Sequence, residues 1–330
     1  MKTKRRKSNK RKTRKVKKRA LNCNLLKKLT NIHAPSGEED RILSFLVKYI
    51  NTHKKKWKRQ PKVLYGGKYR NNIILVFGRP RVALFSHIDS VGFMVTYDNK
   101  LTKIGGPKFK SGVKLTGYDH KGLVKAKAYT KSNKKRKNKK ITYTSSHPID
   151  VGTNLTYTPN WRETVSTVQN GSLDDRLGSF IALKLAETLE NGVLVFTESE
   201  ETGGGDIEFI SNMLYKKYNI RRALISDIIP ASKHVKLGKG AVVSYRDQNI
   251  PRRVFVKEVE NIIKETGYKY QIEVADKGGT DAGGLISSPT PFDWCQVATP
   301  ILNYHSPNEK ANKLDIMETI KIYRALMRKL

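Results

Sequence analysis

Cysteine is nearly absent. Cys23 and Cys295 are the only two in 330 residues, too few for a disulfide framework and outside any CxxC, which fits a reducing compartment. Long apolar runs are absent as well: nothing approaches the roughly 20 residues of a membrane-spanning helix. The N-terminus has charge but no apolar core, so no secretory signal is expected. Acidic residues are scarce, 29 Asp+Glu against 65 Lys+Arg, for a formal net charge of +36. Residues 1–20, MKTKRRKSNKRKTRKVKKRA, hold 13 Lys or Arg, no acid and almost no apolar side chains. Such a segment cannot bury enough surface to offset ordering, and a disordered tail is expected. HKKKWKRQPK (53–62) and KSNKKRKNKK (131–140) are expected to be solvated loops. Without the tail the charge is still 36 − 13 = +23. These absences point to an intracellular, cytoplasmic chain with no membrane partner. The tail admits a nuclear or particle-associated location, and binding to nucleic acid or another polyanion through phosphate contacts.

What is present organises around short strands. ALNCNLLKKLTNIHA has apolar residues at helical spacing. SGEEDRILSFLVKYI predicts a second helix, with Ser36 as N-cap and Glu39 completing an S-x-x-E capping box. Four β-branched runs follow, NIILVF (72–77), VALFS (82–86), VLVFT (193–197) and ALIS (223–226), each too short for a typical helix. The last three run straight into His87-Ile88-Asp89, Glu198-Ser199-Glu200-Glu201 and Asp227. In an open α/β sheet, ligands gather beyond the carboxyl ends of parallel strands, so these groups are expected at one site. DDRLGSFIALKLAETLE, with Leu177, Ile181, Leu185 and Leu189 on one face, predicts a helix between them. From about Gly92 to Gln169 the texture changes to short alternating segments rich in Gly and Thr, which predicts a small inserted β domain with the lysine run at a hairpin tip. The expected organisation is a basic tail (1–20), an α/β domain in two parts (21–92 and 170–330) and the insertion (93–169). The sheet is expected to be mixed, mostly parallel and flanked by helices.

The candidate ligands, in chain order, are His87 with Asp89, Asp174 with Asp175, Glu200 with Glu201, Asp227, and His305 in NYHSPNE. Each alone has an ordinary explanation. An Asp pair opening a helix is usually a cap favoured by the dipole, and a Glu pair is usually solvated. Those explanations do not account for five such groups, all at strand or helix ends. Two His with several carboxylates suit Zn²⁺ or a similar borderline cation rather than Ca²⁺. A pair of cations needs a bridging carboxylate, flanking His and acids, and one carboxylate left free as a base.

The ordered set PSGEE, HIDSVGFMV, LDDRLG, EETG, SD, GGTDAGG and HSPNE resembles the glutamyl/leucyl and tetrahedral-type aminopeptidases, dinuclear metallopeptidases of which some are catalogued as endoglucanases. The resemblance runs from roughly Leu21 to the C-terminus and implies a zinc-peptidase-type fold with the β insertion. Carried over by motif, it implies that His87 and Asp227 hold one ion, Glu201 and His305 the other, and Asp174 bridges them. The choice of Asp174 over Asp175 follows the family's spacing to Gly178. Glu200 is implied as general base, and Asp89 as the residue fixing the His87 tautomer. Thr280 and Asp281 are implied near the substrate pocket. The implied cofactors are two divalent metal ions per subunit, Zn first, with Co or Mn as alternatives. The implied partners are peptide substrates and further copies in a homo-oligomer. PILNYHSP departs from the Pro and Arg that the family usually carries just before HSP.

The implied reaction is metal-assisted removal of an N-terminal residue, with Glu200 passing a proton from water to the leaving amine. Two rivals stay open. A retired peptidase fold acting as a nucleic-acid-binding or scaffold protein suits the charge, but has no need of intact Glu200, Glu201 and both histidines. A related carboxypeptidase, deacylase or glycanase would differ in not requiring a free α-amine.

Overall fold

The computed structural model describes residues 21–131 and 140–330. The tail expected to be disordered and the tip of the expected hairpin, 132–139, lie outside the described residues. In chain order, α1 (Asn24–Thr30) and α2 (Asp40–His53) lead into β1 (Lys62–Tyr65), β2 (Ile73–Phe77) and β3 (Ala83–His87). Then come β4 (Gly92–Thr96), β5 (Lys100–Ile104), β6 (Val113–Asp119), β7 (Gly122–Lys131), β8 (Lys140–Ser145) and β9 (Asn154–Tyr157). The chain continues through β10 (Arg162–Glu163), β11 (Thr167–Asn170), α3 (Leu173–Ala186), β12 (Gly192–Thr197), α4 (Ile207–Tyr218), β13 (Arg222–Ile225), β14 (Ile228–Pro230) and β15 (Ala241–Ser244). It ends with α5 (Arg253–Thr266), β16 (Tyr270–Glu273), α6 (Ala282–Ser287), β17 (Asp293–Leu302), β18 (Glu309–Asn312) and α7 (Lys313–Lys329).

The main sheet runs β1-β2-β12-β3-β13-β17-β18-β11-β10. Its centre, β12-β3-β13-β17, is parallel, and β2 and β18 flank it antiparallel. Side chains alternate across a strand, and both faces are covered. Ile73, Leu75 and Phe77 join Leu84, Leu194 and Leu224 on the face packed by α1, α3 and α7. Ile74 and Val76 join Phe85, Val195 and Ile225 on the face packed by α4 and α6. A strand buried on both faces needs a continuous apolar run rather than alternation, which is why IILVF reads as it does. Each such Leu or Phe contributes roughly 1.5–3 kcal/mol by burial. The predicted α3 stripe of Leu177, Ile181 and Leu185 is buried, with Leu189 just beyond the helix end. The rest of the helix is buried too, Lys184 apart, because it lies between sheet and helices.

β4 to β9 close into a barrel in the order β4-β5-β8-β7-β6-β9, filled by Phe93, Leu115, Val124, Ala128 and Leu155. β10 and β11, within the same stretch of sequence, instead pair through β18 into the main sheet. The lysine run 131–140 begins and ends on paired β7 and β8 residues, Lys131 opposite Lys140.

Two local expectations are corrected. The capping box does not form: α2 begins at Asp40, its N-cap is Glu39, and no side chain caps it. Ser36 and Glu39 spend their polar atoms elsewhere, as described below. HKKKWKRQPK is not simply a solvated loop. It finishes α2, makes a single tight turn over Lys54–Lys56, and is pinned by Trp57, buried and stacked 6.2 Å from Phe77. No helix among the described residues is long and apolar enough to cross a membrane.

Candidate metal centre

Because β12, β3 and β13 are parallel neighbours, their carboxyl ends lie side by side, spaced about 4.8 Å strand to strand. β3 ends on His87, with Asp89 two residues on. β12 ends at Thr197, and the chain turns through Ser199, left-handed at φ 59°, into the tight turn Glu200–Thr202. β13 is followed by Ser226 and Asp227. His305 follows β17, also left-handed at φ 61°, a conformation uncommon for a non-glycine residue and held only where neighbours fix it. The chain enters α3 through Ser172 at φ 58°. Asp174 is extended (φ −78°, ψ 113°) rather than helical, so the Asp pair does not serve as an ordinary helix opening.

Asp174 stands between the two imidazoles. One carboxylate oxygen is 3.3 Å from His87 Nε2 and the other is 3.2 Å from His305 Nε2. Asp227 Oδ1 and Glu200 Oε2 each lie 3.8 Å from His87 Nε2, and Glu201 Oε2 is 3.2 Å from His305 Nε2. Two groupings with metal-ligand spacing result, His87–Asp174–Asp227 and Asp174–Glu201–His305, sharing Asp174. Asp175 turns away, accepting from Ser86 Oγ at 2.9 Å and Gly178 N at 2.8 Å. A Cβ on Gly178 would sit 2.1 Å from Asp175 Oδ2 and from Ser226 O, so only glycine admits this approach. A third grouping, Asp119–His120–Asp150, sits at the barrel surface, with His120 and Asp150 exposed.

Burial drives the electrostatics. It pushes the Glu200 and Asp227 carboxyls well above the usual range, reinforced by neighbouring acids, with His87 pulling the other way. Burial also raises Glu201, while His305 opposes the rise. Asp174 runs against its burial, held well down by His305 and His87. Burial disfavours both imidazolium ions, yet Asp174 and Asp89 hold His87 well up, and Asp174 and Glu201 push His305 up to about 11. Carboxylates this close cannot all ionise without cationic charge among them. Arg176, buried nearby, adds its charge through space to Asp89, Asp175 and Glu201, but it forms no ion pair with the cluster and donates instead to the carbonyls of Asp89 and Ala34. Glu201 Oε1 is buried without a hydrogen-bond partner. Two imidazoles, a shared carboxylate and flanking acids fit divalent cations of the zinc type.

Three braces hold these groups in place. Asp89, fully buried, accepts from His87 Nδ1 at 3.2 Å, Ser36 Oγ at 2.6 Å, and the backbone N–H groups of Glu200 and Glu201 at 3.1 Å each. Glu309, equally buried, accepts from Leu173 N at 2.6 Å, Asp174 N at 3.2 Å and His305 N at 2.6 Å. The barrel supplies the third brace: Gly106 O lies 3.2 Å from His305 Nδ1, and Tyr157 Oη and Lys108 N both donate to His305 O. An Nδ1–H bonded to that carbonyl leaves Nε2 free to face the acids.

The profile of the M42 glutamyl aminopeptidase family matches residues 71–322, a span that contains every one of the clustered side chains. The chain belongs to the M42 glutamyl aminopeptidase family. It is accordingly a peptidase hydrolase, and the family's metal dependence agrees with the donor set. A curated protein of Acetivibrio thermocellus, named provisionally as an aminopeptidase, is 25% identical over 90% of this chain and 96% of its own. Among solved structures, aminopeptidase APDkam598 of Desulfurococcus kamchatkensis superposes with TM-score 0.80 at 20% identity, over 93% of this chain and 94% of its own. The Pyrococcus horikoshii TET1 peptidase, which assembles into a tetrahedron or a large octahedral shell, gives 0.75 at 23% identity, over 93% and 99%. An endoglucanase of Thermotoga maritima gives 0.67 at 17%, over 92% and 96%. At these identities the structures speak for the fold.

Within this M42 fold, His87, Asp89, Asp174, Glu200, Glu201, Asp227 and His305 are brought together. Asp281 lies beside them, accepting from Thr197 Oγ1 at 2.8 Å, and burial raises its carboxyl to about 6 against the pull of His87. Thr280 does not join the cluster. Its hydroxyl points to Asp247 Oδ2 at 3.4 Å. Sequence reasoning missed Glu309 as a brace, although HSPNE contains it, and gave Ser36 and Glu39 to a helix cap. Glu39 instead accepts from Gly37 N, Ser199 Oγ and Asn71 Nδ2 behind the turn that carries Glu200.

Proposed function

We propose that this metallo-aminopeptidase is dinuclear, with His87 and Asp227 on one ion, Glu201 and His305 on the other, Asp174 bridging, and Glu200 as general base. The observation that carries the proposal is the shared Asp174 carboxylate, with an oxygen within 3.3 Å of each imidazole. Bound divalent ions, Zn²⁺ first with Co²⁺ or Mn²⁺ as alternatives, would supply Lewis-acid polarisation of the scissile carbonyl and a nucleophilic water. Glu200 is at the centre without being needed in either ligand grouping. In that role Glu200 would take a proton from water and hand it to the departing amine. Asp89 holds the backbone N–H groups of Glu200 and Glu201 together with the His87 ring, so base and ligands keep one geometry. Asp281, beside the cluster, is the residue we assign to the substrate side. Peptides with a free α-amine are the proposed substrates, and a homo-oligomer the proposed working state.

The test is a panel of aminoacyl-amides and peptides, free and N-acetylated, turned over by metal-stripped protein after addition of Zn²⁺, Co²⁺ or Mn²⁺, with bound metal counted per chain. The proposal expects two ions per chain and cleavage of free-amine substrates only. One ion at full activity, or equal cleavage of acetylated peptides, would remove it.

A further inference from the structure

The outer surface of the barrel carries a feature that peptide cleavage does not use. Between Gly92 and Tyr157 the sequence has fifteen Lys or Arg, three Asp and no Glu. β6 and β7 set Lys114 directly opposite Lys127 and Thr116 opposite Lys125. β7 and β8 set Lys127 opposite Thr144 and Tyr129 opposite Thr142. The alternating residues Leu115, Val124, Ala126 and Ala128 fill the interior, so Lys114, Lys125 and Lys127 share the outer face, and all three are exposed.

Like charges directly opposite in an antiparallel ladder destabilise it. Elsewhere the chain relieves its lysines: Lys257 and Lys264 both reach Glu260, Lys321 reaches Glu318, and Lys313 reaches Glu163. Among the described residues of the barrel the ion pairs are Lys100–Asp98 and His120–Asp150, and neither includes this row. A shallow depression of about 540 Å³ lies beside it, lined by Asn99, Ser111, Tyr129, Thr130, Thr142 and Thr144. Asp98, also on its wall, is taken up by Lys100 Nζ at 2.6 Å. Hydroxyls and amides of this kind can hydrogen-bond phosphate oxygens and bases, and the partly exposed Tyr129 offers a stacking platform.

We propose that the outer face of β6, β7 and β8 binds single-stranded nucleic acid, with Lys114, Lys125 and Lys127 on successive phosphates and Tyr129 stacking a base. Phosphates would relieve the repulsion that no acid relieves. The depression beside the row favours an unpaired strand, whose bases are free to enter it, over a duplex. None of these residues belongs to the basic segment 1–20 or to the ligand cluster.

The experiment uses the full chain and a fluorescein-labelled 20-nucleotide single strand, followed by anisotropy across a salt series. In the triple variant Lys114→Gln, Lys125→Gln, Lys127→Gln the slope of log K against log salt should shrink by about 2, roughly 0.7 for each phosphate no longer neutralised, and affinity at moderate salt should drop on the order of tenfold or more. Tyr129→Leu should weaken binding about fivefold or more and leave the slope unchanged. A control of equal charge loss on exposed helical lysines, Lys28→Gln, Lys216→Gln, Lys217→Gln, should bind like the wild type. Circular dichroism and unchanged peptidase turnover confirm that each variant is folded. The proposal is overturned if the control loses as much as the barrel triple, since diffuse charge would then carry the affinity. Tighter binding of duplex than of single strand overturns it as well, as does equal competition by polyglutamate.

Discussion

In the centre, Asp89, Asp174, Glu200, Glu201 and Asp227 crowd two imidazoles at distances within 4 Å. On the barrel exterior, Lys114 faces Lys127 with no acid between them. Both are repulsive arrangements of like charge, and they differ in solvent. Exposed charges are screened over about 8–10 Å by water and salt, so the barrel row persists at small cost and is open to any anion. Buried carboxylates have no such relief. They are held by backbone N–H donors, by imidazoles and, in an M42 enzyme, by cations. The same chain therefore keeps its acids where they must be compensated and its surplus base where compensation is optional.

The largest contrast should appear on removing one charge from each region. Glu200→Gln is expected to lower kcat by about two to four orders of magnitude with bound metal unchanged by elemental analysis, whereas Lys127→Gln should leave kcat within about twofold. Wild-type turnover in the first variant would end the assignment of Glu200. Next in size, Glu309→Ala removes the acceptor of three backbone N–H groups around Asp174 and His305, and should weaken metal binding about 10–100-fold in a chelator competition. Glu309→Gln keeps one acceptor oxygen and should fall between. Wild-type affinity in both variants would mean that the Glu309 carboxylate does not position the ligands.

Salt sharpens the comparison at intermediate scale. Raising it from 50 to 200 mM should cut oligonucleotide affinity about tenfold or more while changing kcat for a neutral dipeptide less than about twofold, because the centre is buried. A parallel fall in both would show the two regions to be coupled. The smallest effect concerns Glu273 on β16, whose carboxyl burial pushes up to about 7, with Asp247 adding to it. A folded pKa above the unfolded value means that stability falls as pH rises from about 4.5 to 7 and stays lower above that. Glu273→Gln should therefore raise Tm at pH 8 and leave it unchanged at pH 4. The opposite order would show Glu273 to be stabilised as the anion.

Much of this was legible because it is local. The strands announced themselves as β-branched runs, and their polar terminators, His87, Glu200, Glu201 and Asp227, fell at carboxyl ends that a parallel sheet must align. The capping-box expectation failed for the reciprocal reason. S-x-x-E is a local signature, but Ser36 found a carboxylate 53 residues away, and a charge-assisted bond to Asp89 outcompetes a neutral cap. Trp57 was hidden in a lysine run because composition averages over a buried anchor.

The sequence by itself determined the α/β class, the inserted β segment, the family and the identity of the groups that meet, since each rests on residue type and short-range order. Only the tertiary structure decided that Asp175 turns away to Ser86 and Gly178, that Glu309 holds Asp174 and His305 together, and that the barrel reaches over through Gly106 to orient His305. Those outcomes depend on backbone atoms brought close from distant parts of the chain, and no single stretch of residues encodes a distance between two others.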